Sequence, residues 1–190
     1  MRLRAPIDAL AIAVAAAAWL GASGCVISHP DYPASWSPLV EGAACSVLSG
    51  TYEDRGVEGE TGAGVFRGHV VSLSRILFPG ETGRATVVVV TALATDTLEI
   101  AAWDGTRLLK SLRLLAAGGD YRCRAGAAEI SATAPIGEQV AGVQTDTFKL
   151  SKAGDGSLVL KHSSSGFGVI VVIPVGGSED RWYRFKAWVD

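Results

Sequence analysis

The chain has little of what catalysis, metal binding and nucleic-acid binding require. It contains three histidines in 190 residues, and none stands at a metal-binding distance from a second ligand. It also lacks the Gly-x-Ser-x-Gly motif that exposes a serine nucleophile. A formal net charge of −2, without a basic patch interleaved with aromatics, argues against a nucleic-acid partner. The sequence therefore predicts a protein that is not an enzyme and uses no cofactor or metal.

Long apolar runs are also lacking, except near the N-terminus. Arg2 and Arg4 are followed by an apolar stretch, Ala9 to Leu20, and then by the small residues Gly21 to Gly24. Twelve residues are too few to span a bilayer, which needs roughly 20 apolar residues. This order and length predict a cleaved signal peptide over residues 1–24.

The end of this leader, Ala22-Ser23-Gly24 followed by Cys25, resembles the lipobox of bacterial lipoproteins. The resemblance implies that Cys25 becomes the first residue of the mature protein and carries acyl chains that hold it on a membrane. Val26 stands where a retention signal would have Asp. By the sorting rule of enteric bacteria, this favours the periplasmic side of the outer membrane over the inner membrane. The alternatives are an ordinary secretion signal, in which Cys25 is incidental, and an uncleaved anchor.

Residues 25–42 are predicted to form the lipidated cysteine and a flexible tether. The stretch carries three prolines among Ser, Ala and Asp, a composition typical of extended and poorly packed chain. Its two aromatics, Tyr32 and Trp36, either dock on the domain, lie at the lipid interface or are lightly ordered. The following residues, 43–190, are predicted to form one β-rich domain.

The three cysteines consist of a single residue, Cys25, and a pair, Cys45 and Cys123. If Cys25 carries lipid, then Cys45 and Cys123 remain as an even pair in an oxidising compartment. A disulfide between them would stabilise the domain by roughly 3–4 kcal/mol in the chain-entropy model. The alternative is two unrelated buried thiols.

Most of the domain has the residue pattern of short β-strands. Val87 to Val90 is a β-branched run, and Leu98, Ile100 and Ala102 alternate with less apolar residues. Tyr121 and Cys123 alternate with arginines, which predicts that Cys123 points inward. The turn Ala153 to Gly156 predicts a hairpin. Further strands are expected at 129–131, 148–150, 158–160, Val169 to Ile173 and Trp182 to Val189.

Two segments are less regular. Residues 72–78 have helical spacing and end at Pro79-Gly80, which predicts a short helix. Residues 108–116 fit a helix that stops at Gly118, but they also alternate after the hairpin signal Asp104-Gly105. A strand is the preferred interpretation of this second segment, and the helix stays open.

Nine or ten short strands predict an all-β fold, either a single antiparallel barrel or a two-sheet sandwich, with at most one or two short helices. Leu48 to Tyr52 resembles the start of lipocalin-type barrels, which implies a lipocalin-like barrel. More broadly, the chain resembles small proteobacterial lipoproteins, a similarity that implies no known activity. The residues that carry this broader resemblance are Cys45, Leu48 to Glu53, Tyr121-x-Cys123, Asp155 to Leu158 and Arg181 to Phe185.

The last strand offers a possible binding face. Trp182, Arg184, Lys186 and Trp188 share one side, while the apolar residues between them face the core. Tryptophan and arginine are favoured at interfaces. The alternative is that the Arg and Lys stems merely cover exposed indoles.

Together these patterns predict a membrane-anchored envelope lipoprotein that is non-catalytic and binds a partner protein or a cell-envelope component. The alternative function is a carrier that holds a lipid or a small apolar ligand inside a β-barrel.

Overall fold

The computed structural model describes most of the domain and part of the segment before it. The described residues are 29–42, 44–59, 69–78, 84–93, 96–136, 141–170 and 173–189. The predicted signal peptide and the lipobox, with Cys25, lie outside these residues.

The described residues form ten strands and two short helices. The strands are β1 (Gly50–Glu58), β2 (Val70–Ser72), β3 (Val87–Ala92), β4 (Thr97–Asp104), β5 (Arg107–Leu115), β6 (Arg122–Arg124), β7 (Ala127–Pro135), β8 (Ala141–Lys152), β9 (Leu158–Ile170) and β10 (Ile173–Ala187). The helices are a 3-10 helix at Cys45–Leu48 and α1 at Leu73–Leu77.

All strands belong to one antiparallel sheet, in the order β5-β4-β3-β1-β10-β9-β8-β7-β6, with β2 paired to β1. If the sheet were flat, eight spacings of about 4.8 Å would separate its edges by about 38 Å. The edge strands β5 and β6 are consecutive in the chain, and the link from Leu115 to Arg122 reaches at most about 25 Å. The sheet must therefore curl. No ladder joins β5 to β6 in the described part of the chain, so the sheet does not close into a barrel. The expected all-β class is confirmed. Its expected forms, a closed barrel, lipocalin-like or otherwise, and a two-sheet sandwich, are not observed, because the described strands form one curled, open sheet.

The core lies inside this curl. Tyr52 of β1, Ile100 of β4, Leu158 of β9 and Phe185 of β10 are each at most 1% exposed. The Tyr52 hydroxyl donates a hydrogen bond of 2.7 Å to the carbonyl oxygen of Leu48, which ties the 3-10 helix to β1. Burial raises the pKa of Tyr52 to about 12, so the phenol stays neutral inside the core.

The expected short helix is confirmed as α1, and a polar cap holds its first turn. Ser72 accepts a hydrogen bond from the backbone N–H of Arg75 at its Oγ (3.2 Å). The Asp54 carboxylate accepts bonds from the Ser72 hydroxyl and the Ser74 backbone N–H, at 2.8 and 2.7 Å. Leu73 is fully buried, so the cap fixes a helix that packs on the core.

Residues 108–116 form a strand rather than a helix, as preferred from the sequence. β5 pairs with β4 along its whole length. Gly105 begins the connecting turn at a φ of 58°, a left-handed conformation that costs glycine little. This turn brings β5 back along β4, and Leu114 reaches the core with 6% exposure.

The expected disulfide is confirmed between Cys45 and Cys123, whose Cα atoms lie 5.8 Å apart. It joins the 3-10 helix to β6. As expected, Cys123 lies on the inner face, since it is in register with the buried Ala128 and is bonded to Cys45 of the core. The residue itself stays exposed, like its neighbours in β6. Among the described strands, β6 is an edge strand that pairs with β7 alone, and the preceding Tyr121, 3% exposed, enters the core.

The last two strands differ from their expected positions. Val169 to Ile173 is not a strand of its own, because β9 ends at Ile170 and β10 begins at Ile173, its hairpin partner. β10 is therefore 15 residues long and ends at Ala187. Its first half was missed because it lacks an apolar stripe.

Candidate functional site

Beyond the core, the inner face of strands β8 to β10 changes from apolar to polar. Leu150, Leu160 and Tyr183 lie side by side in the last buried row. Because side chains alternate between the faces of a sheet, the next inner row lies two residues further along each strand. These further rows contain Phe148, His162 and Arg181, then Asp146, Ser164 and Glu179, then Gln144, Gly166 and Gly177. We call six of these residues the inner-face cluster: Gln144, Asp146, His162, Ser164, Glu179 and Arg181.

Asp146 lies at the centre of the inner-face cluster. Its Oδ1 is 2.9 Å from Nε2 of His162, and its Oδ2 accepts a 3.1 Å hydrogen bond from the Gln144 amide. The same amide donates to Ser164 Oγ at 3.1 Å. The His162 ring stacks on Phe148, with ring centroids 4.6 Å apart. Two neighbouring strands, β8 and β9, therefore hold the imidazole and the carboxylate in a defined orientation.

The electrostatics of this group keep Asp146 ionised. Partial burial raises the pKa of its carboxyl, but hydrogen bonds from His162, Gln144 and Ser164 outweigh that effect. The positive charge that His162 carries when protonated acts in the same direction. The pKa of Asp146 therefore lies below its ordinary value, and the group is a carboxylate at neutral pH.

A second charged pair stands beside the first. Arg181 donates two hydrogen bonds to Glu179, from Nε at 2.8 Å and from Nη2 at 3.0 Å. The bond to Glu179 raises the pKa of Arg181 above its ordinary value. Burial raises the pKa of Tyr183, against the effect of its hydrogen bond with Arg181. Arg181 thus connects the polar rows to the edge of the core.

These groups offer hydrogen-bond donors, acceptors and an aromatic ring on one concave face. That combination suits the recognition of hydroxyl and amide groups. A Cβ added at Gly177 would meet no atom within 4 Å, so the face is open beside the cluster. Among the described residues, no group of His, Cys, Asp or Glu side chains could hold a metal ion.

The predicted binding face is partly covered by the chain itself. Trp182 donates a 2.9 Å hydrogen bond from its indole N–H to the carbonyl oxygen of Pro30. The Tyr32 ring packs edge-on against the indole with centroids 5.3 Å apart, and Nζ of Lys161 lies 5.3 Å from the indole centroid. Trp182 therefore serves an internal contact.

The other three residues of that face are distributed along the end of β10. Arg184 forms an ion pair with Asp155 and donates a 3.2 Å hydrogen bond to Ser157 Oγ. Lys186 is exposed, and Trp188 follows the strand with 42% exposure. Lys186 and Trp188 are thus the two most exposed members of the strip.

The segment before the domain is bonded to it at several points. Val40 and Pro38 exchange backbone hydrogen bonds with the β8–β9 turn, at 2.8 and 2.9 Å. Tyr32 docks on Trp182, which is one of the three alternatives expected for it, and Trp36 lies against Tyr32. His29 approaches Asp180 at 3.2 Å and Ser178 at 3.0 Å.

The inner-face cluster was missed from the sequence, where the only feature noted for the histidines was that none has a second ligand at metal-binding spacing. The partners of His162 are 16 residues away on β8 and lie beside it only through strand register. The detectable signal was the polar alternation of Gln144, Asp146 and His162 on strands whose other ends are apolar.

No helix among the described residues is long and apolar enough to cross a membrane. In comparisons with known proteins, no protein family, no curated protein and no solved structure matches this chain.

Proposed function

We propose that the protein is a non-catalytic envelope lipoprotein that binds a neutral, hydroxyl-rich component of the cell envelope. It is anchored by lipid on Cys25 at the periplasmic side of the outer membrane. The lipobox resemblance supports the anchor. The Cys45–Cys123 disulfide supports export, because such bonds persist in oxidising compartments.

The chemistry of the inner-face cluster is the observation that supports this class of ligand. Its two carboxylates, on Asp146 and Glu179, face one guanidinium on Arg181 and the imidazole of His162, so the net charge is small: −1 with a neutral imidazole and zero with a protonated one. A strongly charged ligand would find little excess of opposite charge here. Hydroxyl and acetamido groups, as in cell-wall saccharides, match the mixed donors and acceptors.

A partner protein is the second candidate, and the exposed end of β10 favours it. Lys186 and Trp188 lie on the outer surface, and tryptophan is enriched at protein interfaces. The internal bonds of Trp182 and Arg184 make the strip shorter than the four residues expected.

The alternative of a lipid or apolar-ligand carrier requires an apolar cavity. Within the described residues, Tyr52, Leu158 and Phe185 bury their side chains between the strands, and the rows beyond them are polar. We therefore favour a polar ligand, and the carrier stays a sequence-based prediction.

The test is a titration of the purified protein with N-acetylated disaccharide fragments of the cell wall, followed by calorimetry. Asp146→Asn and Arg181→Gln should each weaken binding about tenfold or more, since a hydrogen bond to a charged group contributes about 1.5–3 kcal/mol. Thr133→Ala, on the outer face of β7, is the matched control and should bind like the wild type. Unchanged binding by Asp146→Asn, or no binding by the wild type, would contradict the proposal.

A further inference from the structure

The segment before the domain follows β10 in one direction. From Val40 back to His29, the segment contacts first the β8–β9 turn, then Trp182, and finally Asp180 and Ser178. Trp182, Asp180 and Ser178 alternate along the outer face of β10. The chain at His29 therefore points toward the distal end of the β9–β10 hairpin, away from the core.

The length of chain before His29 limits where Cys25 lies. Four residue steps separate the two, and they span at most about 14 Å. Ser178 is paired with Ser165, and the next outer row contains Val143, Phe167 and Gly176. One row along and one strand across, Phe167 is about 8 Å from Ser178. The lipid site is thus within reach of this row.

That row is apolar and exposed. Phe167 is 62% exposed and its register partner Val143 is 55% exposed, both on the outer face. Gly176, on the other side of Phe167, carries no side chain that could cover the ring.

We propose that Val143 and Phe167 form a membrane-contact edge that enters the lipid interface when Cys25 is acylated. This inference rests on the proposed lipid anchor. An amphipathic surface of this kind buries its apolar side chains about 5–10 Å into the headgroup boundary, and the acyl chains on a nearby cysteine hold it there. The neighbouring outer rows contain Ser163, Ser165, Thr145 and Thr147, whose hydroxyls suit contact with headgroups.

The test places a fluorescent label at one new cysteine of the full lipidated protein, bound to phosphatidylethanolamine–phosphatidylglycerol vesicles that contain a quencher-labelled lipid. Phe167→Cys lies in the contact edge, Ser165→Cys lies one row nearer the core, and Leu108→Cys lies on β5, five strands away. Quenching should be about threefold stronger at position 167 than at position 108, with position 165 between them, because only the edge enters the interface.

Two failures are distinguishable. The intact mass of the membrane-bound protein reports whether Cys25 is acylated, and an unmodified cysteine would overturn both the proposed anchor and the contact edge. If Cys25 is acylated but positions 167 and 108 are quenched equally, the contact edge alone is wrong.

Discussion

Two phenylalanines on one hairpin show how differently its two ends are used. Phe185 on β10 pairs with Leu158 and is completely buried, while Phe167 on β9 is 62% exposed. Both stand in long antiparallel strands with complete pairing. The two rings lie on opposite faces of the sheet, Phe185 on the inner face and Phe167 on the outer face.

The difference in burial comes from the face that each ring occupies and from what covers each end of the sheet. At the core end, the curled sheet brings β1, β3 and β4 over the inner face, and apolar side chains fill the space. At the distal end, the inner rows are polar and hydrogen-bonded to one another. The comparison teaches that the core end supplies stability and that the distal end is available for binding.

Replacing each phenylalanine by alanine should give the largest difference between the two ends in the free energy of unfolding. Phe185→Ala removes a fully buried ring, and we expect a loss of about 3–5 kcal/mol in the free energy of unfolding. Phe167→Ala, the matched control, should change it by no more than about 0.5 kcal/mol. Urea unfolding followed by tryptophan fluorescence measures both, and equal losses would contradict the division between the two ends.

A glycine-to-alanine substitution at each end tests the same difference in packing, with a smaller expected effect on stability. A Cβ at Gly56 would lie 2.4 Å from Cδ1 of Phe185 and 2.5 Å from the carbonyl oxygen of Arg184. Gly56→Ala should therefore lower the free energy of unfolding by about 1–3 kcal/mol. Gly177→Ala enters open space at the distal end and should leave stability within about 0.5 kcal/mol of the wild type. Thermal unfolding measures the stability of both variants. A lower stability of Gly177→Ala than of Gly56→Ala would contradict the proposed difference in packing between the two ends.

The smallest expected effect is the acid sensitivity of the distal end. For Asp146 and Asp180, burial raises the carboxyl pKa, but the hydrogen bonds from His162 and from Lys161, respectively, help hold it below the ordinary value of 3.8. A lowered folded-state pKa contributes stability that is complete above the ordinary value and is lost as the pH falls through the lowered one.

Each of these partly exposed pairs should contribute less than about 1 kcal/mol. We expect the double variant Asp146→Asn/Asp180→Asn to lose less stability than the wild type between about pH 5 and pH 2. Urea unfolding at a series of pH values measures this, and parallel pH curves for the two proteins would speak against the lowered pKa values.

The strands that face the core were predictable from the sequence, because their apolar residues alternate. Leu98, Ile100 and Ala102 were expected to be buried, and all three have 0% exposure. The hairpin turn Ala153 to Gly156 and the pairing of Cys45 with Cys123 were also predictable. Each of these predictions depends on a short local sequence pattern or on the even number of cysteines that remains when Cys25 is set aside.

The distal strands and the inner-face cluster were not predictable in the same way. The first half of β10 contains Gly176, Gly177, Ser178 and Asp180, residues that are typical of loops in isolation. Long-range pairing with β9 overrides that preference. The same pairing brings Asp146 to His162, and no spacing within one segment indicates this contact.

By itself, the sequence determined the β class, the apolar stripes of the core and the disulfide partners, and it predicts lipid attachment at Cys25. These features follow from local periodicity, turn residues and the number of cysteines. Only the tertiary structure decided that the sheet stays open, that the chain before the domain covers Trp182, and that polar residues of three strands meet on one face. The physical reason is that strand register and sheet curl depend on contacts between residues far apart in the chain.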